Sequence, residues 1–361
     1  MAHISNAETE TESHVFRVAV VVLCYKSEDS LKYAIDGLER QDFKEFVVYI
    51  IYKQSGEEGN KKLQNCVRKS TLRINVIIQE SGLFEEAMNI ALKIGDIDIL
   101  IFMDSDAVPS TQFVSSHLSH YSDDSIGGIS GRVIQFDSLN RNRVELDSVL
   151  SGEFQHSMDT TPQERLRRFF STVEGMDKYV RRISKSGFDY SRSSNIRDGR
   201  LVSLGPGANM SVRKSDVSNF EISPRTLFGL RNESQITLEL VRRKRLIAYC
   251  ERATVYHSFT GESISRGYDG SKRFLIALES STFVLYLYCK GYISRISLRT
   301  MIENVIIHIL WQFKYGSKGL WWGIVGTMVG NVIVFRLKKQ RGFYVRDIES
   351  RMYESLFGSQ G

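Results

Sequence analysis

Proline and cysteine are scarce in this chain, four of each in 361 residues. So little proline leaves long helices and regular strands uninterrupted. Cys24, Cys66, Cys250 and Cys289 are scattered, without paired or metal-ligand spacing. That excludes a disulfide framework and matches cytosolic usage, with Cys24 a core residue of an apolar strand. No signal peptide opens the sequence. Residues 1–15 are polar, with Glu8, Glu10 and Glu12, and read as a flexible arm. There is no helix-turn-helix, zinc-finger or RNP-type signature, so no nucleic acid is expected as partner. A charged fraction of 25% and an apolar fraction of 42% exclude wholesale disorder. The net charge of +6 is uneven: between residues 160 and 250 Lys and Arg outnumber Asp and Glu roughly two to one. Such a surface favours phosphates or acidic lipid.

What is there begins with Asp104-Ser105-Asp106, at the end of the apolar run Ile97-Asp98-Ile99-Leu100-Ile101-Phe102-Met103. A run this apolar reads as a strand buried on both faces. Two carboxylates one residue apart repel each other and are costly to bury unpaired. At the carboxyl edge of an α/β sheet they can hold a divalent cation and, through it, phosphate oxygens. The competing reading is a solvated loop with two chance acids.

Upstream, strands are predicted at Val18–Leu23, Phe46–Ile51 and Ile74–Ile78, with helices from Ser27 or Ser30 to about Arg40, near 60–69 and over Glu85–Lys93. Strand and helix alternate, which predicts a parallel α/β sheet with helices on both faces and ligand loops at 24–28, 52–56 and 104–108. Downstream, Gly127–Ile134 reads as a glycine-broken strand. Thr161-Pro162-Gln163-Glu164 is a capping box. Leu166, Phe169, Phe170, Val173, Met176, Val180 and Ile183 follow at helical period, predicting one amphipathic helix that either packs on the core or rests on anionic lipid. Gly205-Pro206-Gly207 is a glycine turn without Walker or dinucleotide spacing. Glu233 opens a segment through Val241. Short strands are predicted at Leu246–Tyr249 and Val255–His257, where His257 is either a structural residue or a ligand.

After about residue 270 the chain becomes apolar and aromatic. Gly319–Phe335 carries no charge for about 17 residues, at the low edge of a membrane span. Glycines at 319, 323, 326 and 330 favour close helix packing. Trp321 and Trp322 stand at one end and Arg336, Lys338, Lys339 and Arg341 at the other, as in an interfacial anchor. The segment is expected either as a buried hairpin or as one lying in the cytoplasmic face of a membrane, with a full crossing less favoured.

These residues together resemble glycosyltransferase family 2, which has the GT-A fold: a Rossmann-like mixed sheet flanked by helices, here with a C-terminal hydrophobic helical region. The first strand with Cys24-Tyr25-Lys26 resembles the family's opening turn. Gly82 and Asn89 are similar to its Gly…Ala-x-Asn segment, and Met103–Pro109 to its DxD motif. Gly128–Val133 resembles its Gly-Gly-x-x-Gly strand, and Gly207–Arg213 its acceptor-side Gly-x-Asn-Met segment. Val217–Glu221 stands at its Gly-Gly-Phe-Asp turn with Ser218 and Asn219 for the glycines. Glu233 falls at its Glu-Asp motif and His257 at its closing histidine. The match covers roughly residues 16–260.

The resemblance implies a metal-dependent inverting transfer of a sugar from a nucleotide sugar to a hydroxyl of a glycan acceptor, lipid-linked given the hydrophobic tail. It implies Mg²⁺ or Mn²⁺ on Asp104, Asp106 and His257. It places the donor on Cys24, Tyr25, Glu28, Gln54, Gly82, Asn89, Asp104 and Ser105. The acceptor falls to Gly207, Asn209, Met210 and Arg213, and the general base to Glu233, with Asp216, Glu221 or Glu239 next. The implied organisation is an arm at 1–15, a GT-A domain at 16–265 (nucleotide half 16–110, acceptor half 111–265) and a membrane-associating region at 266–361. Two departures stand out. Tyr52-Lys53-Gln54-Ser55 replaces the acid that ends the family's second strand, leaving Gln54 or Lys53 for the base. Ser234 replaces the Asp that follows Glu233. A polyprenyl-phosphate sugar synthase and a catalytically degenerate membrane-bound scaffold of the same fold are the alternatives. Haloacid-dehalogenase phosphatases share Asp-x-Asp after an apolar strand, but their downstream acid motif is absent after residue 110.

Overall fold

The computed structural model describes residues 16–136, 170–191, 196–205, 207–223, 231–258, 270–314 and 319–338. The expected arm at 1–15, the capping box at 161–164, Leu166, Phe169, Pro206, Lys339 and Arg341 lie outside them.

Strand β1 (Val18–Cys24) is buried along its whole length. Its side chains alternate between two cores, Ala19, Val21 and Leu23 into one and Val18, Val20 and Val22 into the other. Burial on both faces selects the middle of a sheet covered by helices. The chain then runs α1 (Glu28–Glu39), β2 (Phe46–Lys53), α2 (Glu57–Lys69), β3 (Ile74–Gln79), α3 (Phe84–Lys93) and β4 (Ile99–Asp104). β1 pairs in parallel with β2 and β4, and β2 with β3. Helices α1 and α2 cover one face through Leu31, Leu38 and Leu63, and α3 the other through Ala87, Met88 and Ala91. Ser27 precedes α1 as expected, yet its hydroxyl does not cap the helix. It reaches the Tyr25 carbonyl at 3.3 Å and the Ser105 hydroxyl.

The second half makes the sheet mixed. It adds β5 (Ala107–Pro109), α4 (Phe113–Leu118), β6 (Ile126–Phe136), β7 (Arg181–Ile183), β8 (Asp189–Ser191), β9 (Met210–Arg213), α5 (Asn232–Arg242) and β10 (Leu246–Ser258). The eight-stranded order is β3-β2-β1-β4-β9-β6-β10-β5. β9 inserts antiparallel to both β4 and β6. β7 and β8 form a separate hairpin. The two strands expected between 246 and 257 are one strand, β10, with an irregularity between Cys250 and Thr254.

The helix expected across 170–183 is not formed. Turns carry Met176 N–H to the Val173 carbonyl (3.2 Å) and Tyr179 N–H to the Met176 carbonyl (3.0 Å), and Arg181–Ile183 is strand. Gly175 has φ of +83°, a left-handed conformation that breaks a right-handed helix. Val173, Met176, Tyr179 and Ile183 are buried all the same. Successive tight turns return an apolar residue to the core every third position, which mimics helical spacing.

Three helices end the described chain: α6 (Gly270–Cys289), α7 (Leu298–Lys314) and α8 (Leu320–Leu337). α8 lies close on α6, because a methyl group at Gly326 would collide with the Phe274 carbonyl and one at Gly330 with the Ser281 hydroxyl. Side-chain amides tie the helices to the β7–β8 hairpin: Asn304 donates to the carbonyls of Ser186 (2.9 Å) and Ser281 (3.0 Å), and Asn331 donates to Asn304 (3.0 Å). α8 is long and apolar enough to cross a membrane, the one such helix among the described residues, with 39% of its apolar window buried. Its other face is open, with Trp321, Met328, Val332 and Phe335 exposed; Leu298, Ile302 and Ile306 are exposed on α7.

Candidate active site

Pairing geometry brings the acids and the histidine together. Asp104 ends β4 opposite Leu23 of β1, and the Ser105 N–H donates to the Leu23 carbonyl at 3.1 Å. His257 pairs with Ala107 in the antiparallel β10–β5 ladder, which sets it beside Asp106. Its Nε2 lies 3.3 Å from Asp104 Oδ2 and 3.3 Å from Asp106 Oδ1. All three side chains are partly open, and their ligand atoms lie within 4.8 Å of one another. Two carboxylates and an imidazole in this arrangement fit a divalent cation that accepts oxygen and nitrogen, Mn²⁺ better than Mg²⁺ because of the imidazole. Ser105, between the acids, is buried with its hydroxyl on Ser27.

A second cluster, His120, Asp198 and Cys250, also gathers three possible ligands. There the Cys250 thiol donates to the Ser116 carbonyl at 3.5 Å, and burial pushes its pKa up to about 11. A thiol held protonated is a poor ligand.

The donor-side residues divide. Tyr25 is exposed at the end of β1, with the ammonium groups of Lys26 and Lys53 over its ring at 5.3 and 5.2 Å. Lys53 ends β2, where an acid was expected, and donates to the Gly82 carbonyl at 2.7 Å. Gly82 has φ of +80°. Gln54 lines a cavity of about 400 Å³ beside Tyr52, Asn60 and Arg68. Glu28 is buried, and its carboxylate accepts the hydroxyls of Tyr52 (3.0 Å) and Ser55. The Cys24 thiol is buried and its pKa is pushed up by desolvation to about 11, so at this position only the backbone is offered to a ligand. Asn89 is buried and both ends of its amide hold Ile222, donating to its carbonyl (3.0 Å) and accepting its N–H (2.8 Å). That amide is spent on the fold.

The acceptor-side expectations need larger correction. Asn209 is fully buried, donating at 2.7 Å to the carbonyls of both Arg132 and Ala253 and bonding His117 at 2.9 Å. It knots β6, β10 and α4 together. Met210 is core. β9 runs antiparallel to β4, so Arg213 pairs with Ile99 at the opposite edge of the sheet from Asp104. Its guanidinium donates to the carbonyls of Tyr121 (2.9 Å) and Ile126 (3.3 Å). Of that segment, Gly207 alone meets the site. Its N–H donates to Glu233 Oε1 at 2.8 Å, and a Cβ there would lie 2.7 Å from that oxygen. A larger residue there would have to push the Glu233 carboxylate aside.

Glu233 sits in the first turn of α5. Desolvation raises its pKa, the charges of Asp104 and Asp189 raise it further, and the Gly207 N–H works against them. The other acids named as possible bases are engaged by cations: Asp216 by Arg245 (2.7 Å), Glu221 by Lys93 (2.9 Å) and Glu239 by Arg242 (2.7 Å) and Arg243 (2.6 Å). Sequence reading missed Asp189 and Arg181. Arg181 donates to Ser130 Oγ (2.7 Å) and the carbonyls of Gly205 (2.9 Å) and Ser203, bracing the loop that leads to Gly207. Ser234 donates to Asp189 Oδ2 at 2.9 Å. No local pattern marks either residue, because both lie in a hairpin where a helix, or nothing, was predicted.

Comparison with known families and structures bears on the fold. The family described as "Glycosyltransferase like family 2" matches residues 16–269. No curated protein matches the chain. Among solved structures, the mannosyltransferase PcManGT from Pyrobaculum calidifontis in complex with GDP-Man and Mn²⁺ is similar, at 10% identity over 96% of this chain and 82% of that one, with a TM-score of 0.50. S. aureus TarS 1–349 in complex with UDP-GlcNAc is similar at 13% identity over 91% and 93%, with a TM-score of 0.46. At these identities the likeness is one of fold.

Proposed function

The chain belongs to the family 2-like glycosyltransferases, and from that premise we propose that it moves a sugar, with inversion, from a nucleotide sugar to a hydroxyl of a lipid-linked acceptor at the cytoplasmic face of a membrane. The observation that carries this reading is the convergence of Asp104, Asp106 and His257 at the carboxyl end of β4. Asp104, Asp106 and His257 would hold a divalent cation, which would supply charge neutralisation for the departing diphosphate. Tyr25, Lys53 and Gln54 line the donor end and offer a ring, an ammonium and an amide to the nucleoside. Glu233 takes the proton of the acceptor hydroxyl as its oxygen bonds to the anomeric carbon. The bond from that carbon to the diphosphate breaks, and its electron pair leaves with the diphosphate.

The test is a panel of UDP-, GDP-, dTDP- and ADP-sugars, each with Mn²⁺, followed by release of the nucleoside diphosphate. One donor is expected to be turned over, and only with the metal. Silence with the whole panel favours the degenerate scaffold and overturns the proposal. A polyprenyl-phosphate acceptor is separated from a glycan acceptor by adding each to the active donor.

The membrane part of the reading rests on the open apolar faces of α7 and α8. With α8 packed on α6 along one side, the pair suits lying in the interface better than crossing. Arg336 and Lys338 at the end of α8 suit anionic headgroups. The same helices are tied to the β7–β8 hairpin beside Glu233, so a lipid-borne acceptor would arrive on the acceptor side. The protein is expected to co-sediment with phosphatidylglycerol-containing vesicles, and Trp321→Ser with Phe335→Ser to release it. Burying each such side chain is worth about 1.5–3 kcal/mol, so binding falls about tenfold or more per substitution. A wild-type protein that stays in the supernatant overturns the membrane reading alone.

A further inference from the structure

The acid missing at position 234 leaves a serine whose hydroxyl is not idle. Ser234 Oγ donates to Asp189 Oδ2 at 2.9 Å, from α5 to the hairpin strand β8. Asp189 comes from 45 positions earlier in sequence, so the contact is made by the tertiary fold and is no accident of helix spacing. Asp189 Oδ1 is buried with no hydrogen-bond partner. A buried carboxylate oxygen left without a donor is costly, and such a cost is commonly carried at functional sites. Arg231, just ahead of α5, holds its guanidinium 3.9 Å from Asp189 Oδ2 and stacks on Phe188. The hairpin is fixed at its other strand by Arg181, which is bonded to the loop leading to Gly207.

We propose that Asp189 replaces, across space, the second acid absent at Ser234, and acts as the positioning residue for Glu233. This rests on Glu233 being the base of the proposed transfer. The charged groups that face Glu233 are Asp104 from the end of β4, Asp189 from β8 and Arg181 from β7. A divalent cation held by Asp104 would offset the first. Arg181 opposes the effect of the acids, and Arg231, 3.9 Å from Asp189 Oδ2, offsets part of the charge of Asp189. Asp189 is then the negative charge that faces Glu233, and the Ser234 hydroxyl fixes its carboxylate in place. A serine at the family's acid position is thereby a contact to the relocated carboxylate, and the site keeps two acids.

The experiment uses the full chain and the donor found active in the panel. Asp189→Asn keeps the shape and can still accept from Ser234. Its pH–rate profile is expected to show the acid limb moved to lower pH and a plateau about three- to tenfold lower, as a weaker base ionises earlier and works less well. Mn²⁺-dependent binding of the nucleoside diphosphate should be unchanged. Returning the acid to its family position in the double variant Asp189→Asn, Ser234→Asp is expected to bring the acid limb back. Unchanged limb and plateau in Asp189→Asn overturn the proposal. So does a lowered plateau with the limb in place and no recovery in the double variant, which would make Asp189 merely structural. A silent wild-type protein with every donor would instead strike the transferase reading itself.

Discussion

Asp106→Asn abolishes the cation-dependent binding of a nucleoside diphosphate and leaves the fold intact. The reason is the company Asp106 keeps. Asp104 is one turn of chain away and His257 Nε2 is 3.3 Å from both carboxylates. An amide in place of the carboxylate keeps the volume and one oxygen but removes a full negative charge from a three-ligand set. Changes even to the groups that only orient metal ligands cost about 10–100-fold in affinity, so the loss of a ligand charge should exceed about 100-fold. Calorimetric titration of UDP or GDP with and without Mn²⁺ reads this directly. Thermal stability gives a second sign. In metal-free protein the substitution removes repulsion between neighbouring carboxylates, so Tm should hold or rise. In Mn²⁺ the wild type should gain stability by mass action and the variant should not. Equal titrations for both proteins would remove the metal role from the acid pair.

The half of the fold that carries this acid pair was legible in the sequence, because its strands are unbroken apolar runs set between helices, even where β4 pairs with the distant β1. Val18–Leu23 and Ile99–Met103 are apolar without alternation, and that pattern has one common meaning, a strand covered on both faces. The second half was opaque because several of its strands are too short to form such a run. β9 pairs with β4 and β6 from about a hundred positions away, and nothing in Met210–Arg213 announces an antiparallel insertion. The resemblance puts Arg213 on the acceptor side, while the strand direction carries it to the far edge of the sheet. Asn89 and Asn209 illustrate a different limit. A motif position marks where a residue type is needed, but an amide that satisfies Ile222, or the carbonyls of Arg132 and Ala253, is needed just as strictly as one that holds a ligand. The stripe ending at Ile183 was misread since turns and helices share a three-to-four-residue return, and Gly175 alone betrays the difference. Asp189, inside the consequence of that misreading, had no sequence signal of its own.

Glu233→Gln keeps donor binding and loses transfer by about 10²–10⁴-fold, which is about 3–5 kcal/mol of barrier. The side chain accepts the Gly207 N–H at 2.8 Å through Oε1. A glutamine preserves that acceptor through its amide oxygen, so the loop from Ser203 to Gly207 should stay in place and the change isolates the proton-accepting role. Glu233 is no metal ligand of the Asp104–Asp106–His257 group, so titration with a nucleoside diphosphate and Mn²⁺ should match the wild type. The pH dependence follows from the same surroundings. Burial first, then Asp104 and Asp189, raise the Glu233 pKa above its ordinary value. A general base works deprotonated, so wild-type turnover should fall as the pH drops through that raised value, and the acid limb should lie above the usual carboxylate range. A cation on Asp104 offsets that residue's share, while burial and Asp189 remain. In Glu233→Gln the limb should vanish along with most of the rate, leaving a weak and nearly flat profile. Wild-type turnover in this variant would transfer the role of base to another group. Among the acids near α5 and β9, Asp216, Glu221 and Glu239 are held by arginine or lysine at 2.6 to 2.9 Å, against 3.9 Å for Arg231 on Asp189, so Asp189 would inherit it.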